Sequence, residues 1–215
     1  MKESIVEILT HPGILPVIRL DSGEKLPELL EALIAGGIRA AELTMTMPNA
    51  PALLDENCRR FGDRIVLGMG TVTDREAAKA AIGSGAKFLV SPFPVFDALE
   101  EAHAAGIPMI MGAFSPRDVF EADRAGADMV KIFPLNILGM SYIKDLRGPL
   151  PQVRFFPTGG ITLGQIPELF RLGVAGCGVG GDLVKKEWIE AGNWAALTGR
   201  AREFVAAVPG CSRGA

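Results

Sequence analysis

Eight short β-rich runs recur along the 215-residue chain, and the stretches between them carry apolar residues at helical spacing. The runs are Ile14 to Arg19, Ala40 to Thr46, Ile65 to Gly70, Phe88 to Ser91, Met109 to Phe114, Met129 to Phe133, Arg154 to Thr158 and Gly176 to Gly180. Leu26, Leu29, Leu30, Leu33 and Ile34 illustrate the helical spacing, as do Ile166, Leu169, Phe170 and Leu172. Strand followed by helix, repeated, requires parallel strands, because a parallel pair needs a crossover long enough to hold a helix. Most helical stretches end in a glycine turn just ahead of the next run, as at Gly36-Gly37, Gly83-Ser84-Gly85, Gly106, Gly126 and Gly173. Eight such units close naturally into an α/β fold of the (β/α)8 TIM-barrel type; a doubly wound open sheet, which usually has five or six strands, ranks second. The expectation is one domain over residues 1–215, with an extra N-terminal helix in 1–12 and a loose tail in 208–215.

Charge and cysteine usage narrow the partners. The net charge is −3 and the Lys and Arg residues are scattered, so no basic stripe offers itself to nucleic acid and a small molecule is the expected partner. The most apolar stretch, Ala105 to Phe114, is too short to span a bilayer. Cys58, Cys177 and Cys211 are odd in number and lack C-x-x-C spacing, which fits reduced thiols in a cytoplasmic protein better than a disulfide frame or a zinc site.

In a barrel of this kind the reactive groups project from the C-terminal ends of the strands, so charges inside otherwise apolar strands are the residues to examine. Lys131 sits in Met129-Val130-Lys131-Ile132-Phe133-Pro134, and alternation puts it on the face opposite Val130 and Ile132. It then points into the barrel, where desolvation favours a neutral, nucleophilic amine; a structural ion pair is the plainer reading. Glu42 alternates in the same way with Ala41 and Leu43, as an acid/base beside the amine or as that amine's ion-pair partner. Arg19 ends the first run, either to grip a carboxylate in a bidentate fork or as a solvated strand-end charge. Thr71 follows Gly68-Met69-Gly70 as a substrate contact or as a cap for a helix beginning near Asp74. Thr158-Gly159-Gly160 and Gly178-Val179-Gly180-Gly181-Asp182 follow the seventh and eighth runs, where barrels often bind phosphate through loop N–H groups and a helix N-terminus. Residues 176–181 formally match G-x-G-x-x-G but lie too near the C-terminus for a dinucleotide site, and His11 and His103 are too far from the strand ends to ligate a metal there.

Taken together, these residues resemble the 2-keto-3-deoxy-6-phosphogluconate / 4-hydroxy-2-oxoglutarate aldolase family, over about Ile14 to Val205. The resemblance rests on Gly37-Ile38 through Glu42-Leu43-Thr44, Gly68-Met69-Gly70-Thr71-Val72, Val90-Ser91-Pro92, Lys131-Ile132-Phe133-Pro134, Arg154 through Ile161, and Gly178 through Gly181. It implies a homotrimer acting on a 2-keto acid without a metal or other cofactor. Lys131 would be the Schiff-base lysine and Glu42 the acid/base. Thr46, Thr71, Pro92, Phe133 and Thr158 would contact substrate alongside Arg19, and Gly159, Gly160, Gly180 and Gly181 would hold phosphate. Two positions depart from the commoner pattern. Thr46 replaces an arginine assigned to the substrate carboxylate, which leaves that task to Arg19, and Asp182 replaces a serine and would repel phosphate unless it points away. A branch acting on 2-keto-3-deoxy-6-phosphogalactonate shares both features. The expected reaction is cleavage to pyruvate and glyceraldehyde 3-phosphate, with the galactonate-type or the unphosphorylated 4-hydroxy-2-oxoglutarate substrate as alternatives. The rivals are a phosphate-binding isomerase or synthase on the same fold and an inactive barrel kept for binding or assembly.

Overall fold

The computed structural model describes residues 2–210. Helix α1 (Lys2–Thr10) precedes β1 (Ile14–Ile18), α2 (Leu26–Ala35), β2 (Ala40–Thr44), α3 (Ala50–Phe61), β3 (Val66–Gly70), α4 (Arg75–Gly83), β4 (Leu89–Val90) and α5 (Phe96–Ala104). The second half runs β5 (Met109–Ala113), α6 (Pro116–Arg124), β6 (Met129–Ile132), α7 (Leu135–Leu138), α8 (Met140–Arg147), α9 (Ile166–Arg171), β7 (Cys177–Val179), α10 (Lys186–Glu190) and α11 (Trp194–Ala207). Local chemistry sets several of the starts. Asp74 accepts the Ala77 N–H at 2.7 Å to open α4, and a reciprocal Ser115–Asp118 box opens α6.

The strands form one parallel sheet in the order β6-β5-β4-β3-β2-β1-β7. β1 to β6 follow one another in sequence and β7 lies on the other side of β1, while residues 154–158 bridge β6 to β7, so the sheet curls round and sets the last strand beside the first. Residues 154–158, expected as a full strand, are held between the two edges by isolated bridges, Val130 to Phe155 and Thr158 to Gly178. Pro157 supplies the reason. Phe155 and Pro157 turn their carbonyls toward the β7 side, where they accept from Ala175 and Gly178, and proline has no N–H to return.

Alternation along the strands sorts side chains into two cores. Ala41, Leu43, Met109, Met111, Val130, Ile132, Cys177 and Val179 pack with the helices in the larger one. Leu15, Ala40, Phe88, Val90, Ile110, Met129 and Phe156 meet inside the curl, joined by Ile5 and Leu9 of α1. Helix α1 therefore stops the end of the curl where the strands begin. Each fully buried aromatic or aliphatic side chain in that stopper contributes on the order of 1.5–3 kcal/mol. Chain order continues inward from α11 to Val208, which is 4% exposed and packs in the larger core rather than starting a loose tail. Pro209 and Gly210 are exposed, and residues 211–215 of the expected tail, Cys211 among them, lie outside the described residues.

Candidate active site

Two residues further along three of these segments, the inward positions turn polar. Ala40 is followed by Glu42, Met129 by Lys131 and Phe156 by Thr158, and these three polar residues are 2%, 6% and 7% exposed. Glycines on neighbouring strands make the room. Gly70 stands opposite Thr44, and a Cβ there would overlap Glu42 Oε1. Gly112 stands opposite Lys131, and a Cβ there would overlap the backbone of Pro92 and Phe93. That backbone is fixed by Ser91, whose hydroxyl donates to Phe93 O at 2.7 Å and accepts the Gly112 N–H at 3.0 Å. Half-buried Pro92 thus closes over the inner face of β5.

No salt bridge joins Lys131 to Glu42, so the structural ion pair that the sequence allowed is not formed. The ammonium nitrogen lies 5.0 Å from the Phe133 ring centroid instead, a contact that attracts a cation without neutralising it. Burial pushes the Glu42 carboxyl above its ordinary pKa, and the charges of Lys131 and Arg19 pull it part of the way back.

Arg19 stands exposed just beyond β1, with no hydrogen bond or salt bridge among the described residues. It borders a cavity of about 510 Å³ together with Phe133, Thr158, Gly160, Gly181 and Asp182. Thr44 donates to Ile18 O at 3.2 Å, and its oxygen lies 3.0 Å from the hydroxyl of exposed Thr46. Thr71 follows β3 with φ at 59°, a conformation that strains a β-branched residue and recurs at functional sites; the cap of α4 is Asp74, not Thr71. Thr158 fills space that a side chain at Gly178 would take. Gly159 and Gly160 have φ of 104° and 68° and back onto Pro134 and Asn136, whereas Gly180 and Gly181 face open space.

Asp182 does not point its charge at the cavity unopposed. Its carboxylate accepts from Arg200 Nη2 at 2.6 and 2.7 Å and from the Leu163 N–H at 2.8 Å. Burial alone would raise this carboxyl, but the hydrogen bonds from Arg200 and Leu163, together with the charges of Arg200 and Lys185, hold the pKa below the ordinary value. Arg200 escaped sequence reasoning; the available signal was Asp182 itself, a charge at a cavity wall that calls for a partner. In the turn leading into α9, the Leu163 N–H is taken by Asp182 and the Thr162 N–H by Gln165 Oε1 at 2.9 Å. A second cavity of about 550 Å³ opens near Thr10, Arg147, Arg154 and Val208, and none of the polar residues inside the curl borders it. Cys58 and Cys177 are unpaired, and burial pushes the Cys177 thiol up to about 12. Among the described residues no group of three or more His, Cys, Asp or Glu is placed to hold a metal ion, and no helix is long and apolar enough to cross a membrane.

A lysine buried beside a carboxylate at the mouth of a curled parallel sheet is the equipment of class I aldolases, lyases that cleave a carbon–carbon bond through an imine. The model of the family described as KDPG and KHG aldolase, the two substrates named above, matches residues 5–199, and the chain belongs to that family. It is 31% identical over 210 residues to a 2-dehydro-3-deoxy-phosphogluconate aldolase of Pseudoalteromonas atlantica, covering 97% of both chains. A 2-dehydro-3-deoxy-6-phosphogalactonate aldolase of Escherichia coli is 31% identical over 179 residues, 80% of this chain and 85% of the other. Among solved structures, the KDPG aldolase of Legionella pneumophila, with pyruvate captured as a covalent carbinolamine, superposes with a TM-score of 0.85 at 31% identity, covering 92% of this chain and 96% of the other.

Proposed function

We propose that this aldolase cleaves a 2-keto-3-deoxy-6-phospho sugar acid to pyruvate and glyceraldehyde 3-phosphate, with Lys131 as its imine-forming residue. The observation that carries this reading is a lysine buried in an apolar strand, with no salt bridge among the described residues, and a carboxylate of raised pKa as its inward neighbour. The neutral amine attacks the C2 ketone, and loss of water from the carbinolamine leaves a protonated imine. Glu42 takes the C4 hydroxyl proton, the C3–C4 electron pair moves into the imine, and the aldehyde departs from a pyruvate enamine. Protonation at C3 and hydrolysis return pyruvate and the free lysine. Arg19 holds the substrate carboxylate, with Thr46, Thr71, Pro92, Phe133 and Thr158 around the reacting carbons. Gly159, Gly160, Gly180 and Gly181 receive phosphate. Open space at Gly180 and Gly181, neither of which needs a left-handed backbone, supports that assignment.

A 6-phosphogalactonate-type substrate is the second reading, supported by Thr46 and Asp182. We read residues 154–158 as the eighth stave of a closed (β/α)8 barrel of one domain, and the enzyme as a metal-free cytoplasmic homotrimer. The exposed Phe93, Phe114 and Ile137, just past the ends of β4, β5 and β6, support association. Borohydride reduction in the presence of pyruvate, followed by peptide mass mapping, should place the adduct on Lys131. An adduct elsewhere, or none at saturating pyruvate, defeats the mechanism, and loss of turnover in chelator restored by added metal would put it in the metal-dependent class.

A further inference from the structure

Arg200 binds Asp182 twice over. Its Nη2 meets the carboxylate, while its Nε donates to the backbone carbonyl of the same residue at 3.1 Å. Both the side chain and the main chain of the residue after Gly180-Gly181 are thereby fixed to α11. The guanidinium is itself located by Glu203 at 2.9 Å and by the Phe204 ring, 5.3 Å to its centroid. Asp182 Oδ2 also accepts the N–H of Leu163, four residues after Gly159. One ion pair, with each member about one-fifth exposed, therefore ties together three elements: α11, the loop after β7 and the loop after Thr158. The two glycine pairs lie on the two loops that this pair joins.

We infer that the Asp182–Arg200 pair is a positioning device that sets the separation of the two glycine loops, and so the preference for a phosphorylated substrate. The inference rests on the proposed phosphate assignment. A carboxylate near a phosphate has two opposed effects: it repels the anion, and here it holds the loops in register. Held by Arg200 and the Leu163 N–H, its charge is largely compensated, so the second effect governs.

Asp182→Ala separates the two effects, because loss of repulsion alone improves phosphate binding and loss of register weakens it. The readout is the ratio of kcat/KM for 2-keto-3-deoxy-6-phosphogluconate to that for 4-hydroxy-2-oxoglutarate, with the pyruvate–borohydride adduct reporting a folded site. The ratio should fall about tenfold in Asp182→Ala, and similarly in Arg200→Met, with the loss in the KM for the phosphorylated substrate. Asp182→Asn, which keeps an acceptor for Leu163, should recover part of it. A ratio that rises or stays at the wild-type value in Asp182→Ala overturns the clamp. A wild-type enzyme with no preference for the phosphorylated substrate would instead defeat the phosphate assignment, so the two failures are told apart.

Discussion

The two ends of the curled sheet are built from the same strands and differ in almost everything else. At the end where the strands begin, Leu15, Ala40, Phe88, Met129 and Phe156 close against Ile5 and Leu9 of α1 in an apolar stopper. Two residues further on, the same inward faces carry Glu42, Lys131 and Thr158, with glycines on neighbouring strands leaving the space. The stopper gains free energy by burial, whereas the mouth spends some of it on a carboxylate and an ammonium kept out of water. The stopper therefore governs stability and the mouth governs turnover.

That division can be broken from either end. Lys131→Met should lower aldol cleavage by at least about 10⁴-fold and abolish the borohydride adduct, since removing a nucleophile removes the path through the imine. A variant that retains even a tenth of wild-type turnover would show that another lysine does the work. In the stopper, Phe156→Ala should cost about 3–5 kcal/mol in denaturant unfolding, while the protein that remains folded keeps its KM. A cost below about 1 kcal/mol would mean that this end is not where the fold is secured.

Glu42→Gln joins the two ends of the comparison. Losing the proton acceptor should reduce kcat about 10²- to 10⁴-fold. The raised pKa of Glu42 in the folded state also stabilises the protein below the unfolded carboxylate pKa, and that contribution is lost as pH rises through the folded value. The glutamine variant should therefore unfold at higher denaturant than wild type in neutral buffer, with the advantage shrinking toward acid. In wild type, kcat/KM should fall on acidification through a limb above the usual carboxylate range, and the variant should lack that limb. A variant less stable than wild type at neutral pH would contradict the assigned direction. The smallest effect is expected for Arg19→Ala, about one to two decades in kcat/KM, together with weaker pyruvate binding. Unchanged values would place the carboxylate elsewhere.

Much of this was legible from alternation alone. Lys131 and Glu42 stood out because a charge on one face of a buried strand has few reasons to be there, and both lie on the inner face with their apolar neighbours against the helices. The eight-run rhythm foresaw the parallel sheet and where its strands lie. What alternation does not report is hydrogen-bond supply: residues 154–158 have strand-like composition, yet Pro157 thins their pairing to bridges. Nor does it report partners distant in sequence. Asp182 read as a stray negative charge because Arg200, 18 residues later on α11, looks like any amphipathic helix surface until the helix is docked. Thr71 could be read two ways, and the structure removes the capping one by giving that role to Asp74.

The short chain of hydroxyls at Thr44 and Thr46 has a directional consequence. A carbonyl only accepts, so the single proton of Thr44 is committed to Ile18 O, and the 3.0 Å contact between the hydroxyls then requires Thr46 to be the donor. Thr46 is left facing outward with lone pairs only. Replacing arginine there does more than remove a positive charge: it reverses the hydrogen-bonding sense of the position, from one that gives protons to one that receives them. A carboxylate finds nothing to accept at such a point, whereas the hydroxyls of a sugar acid find a place to donate.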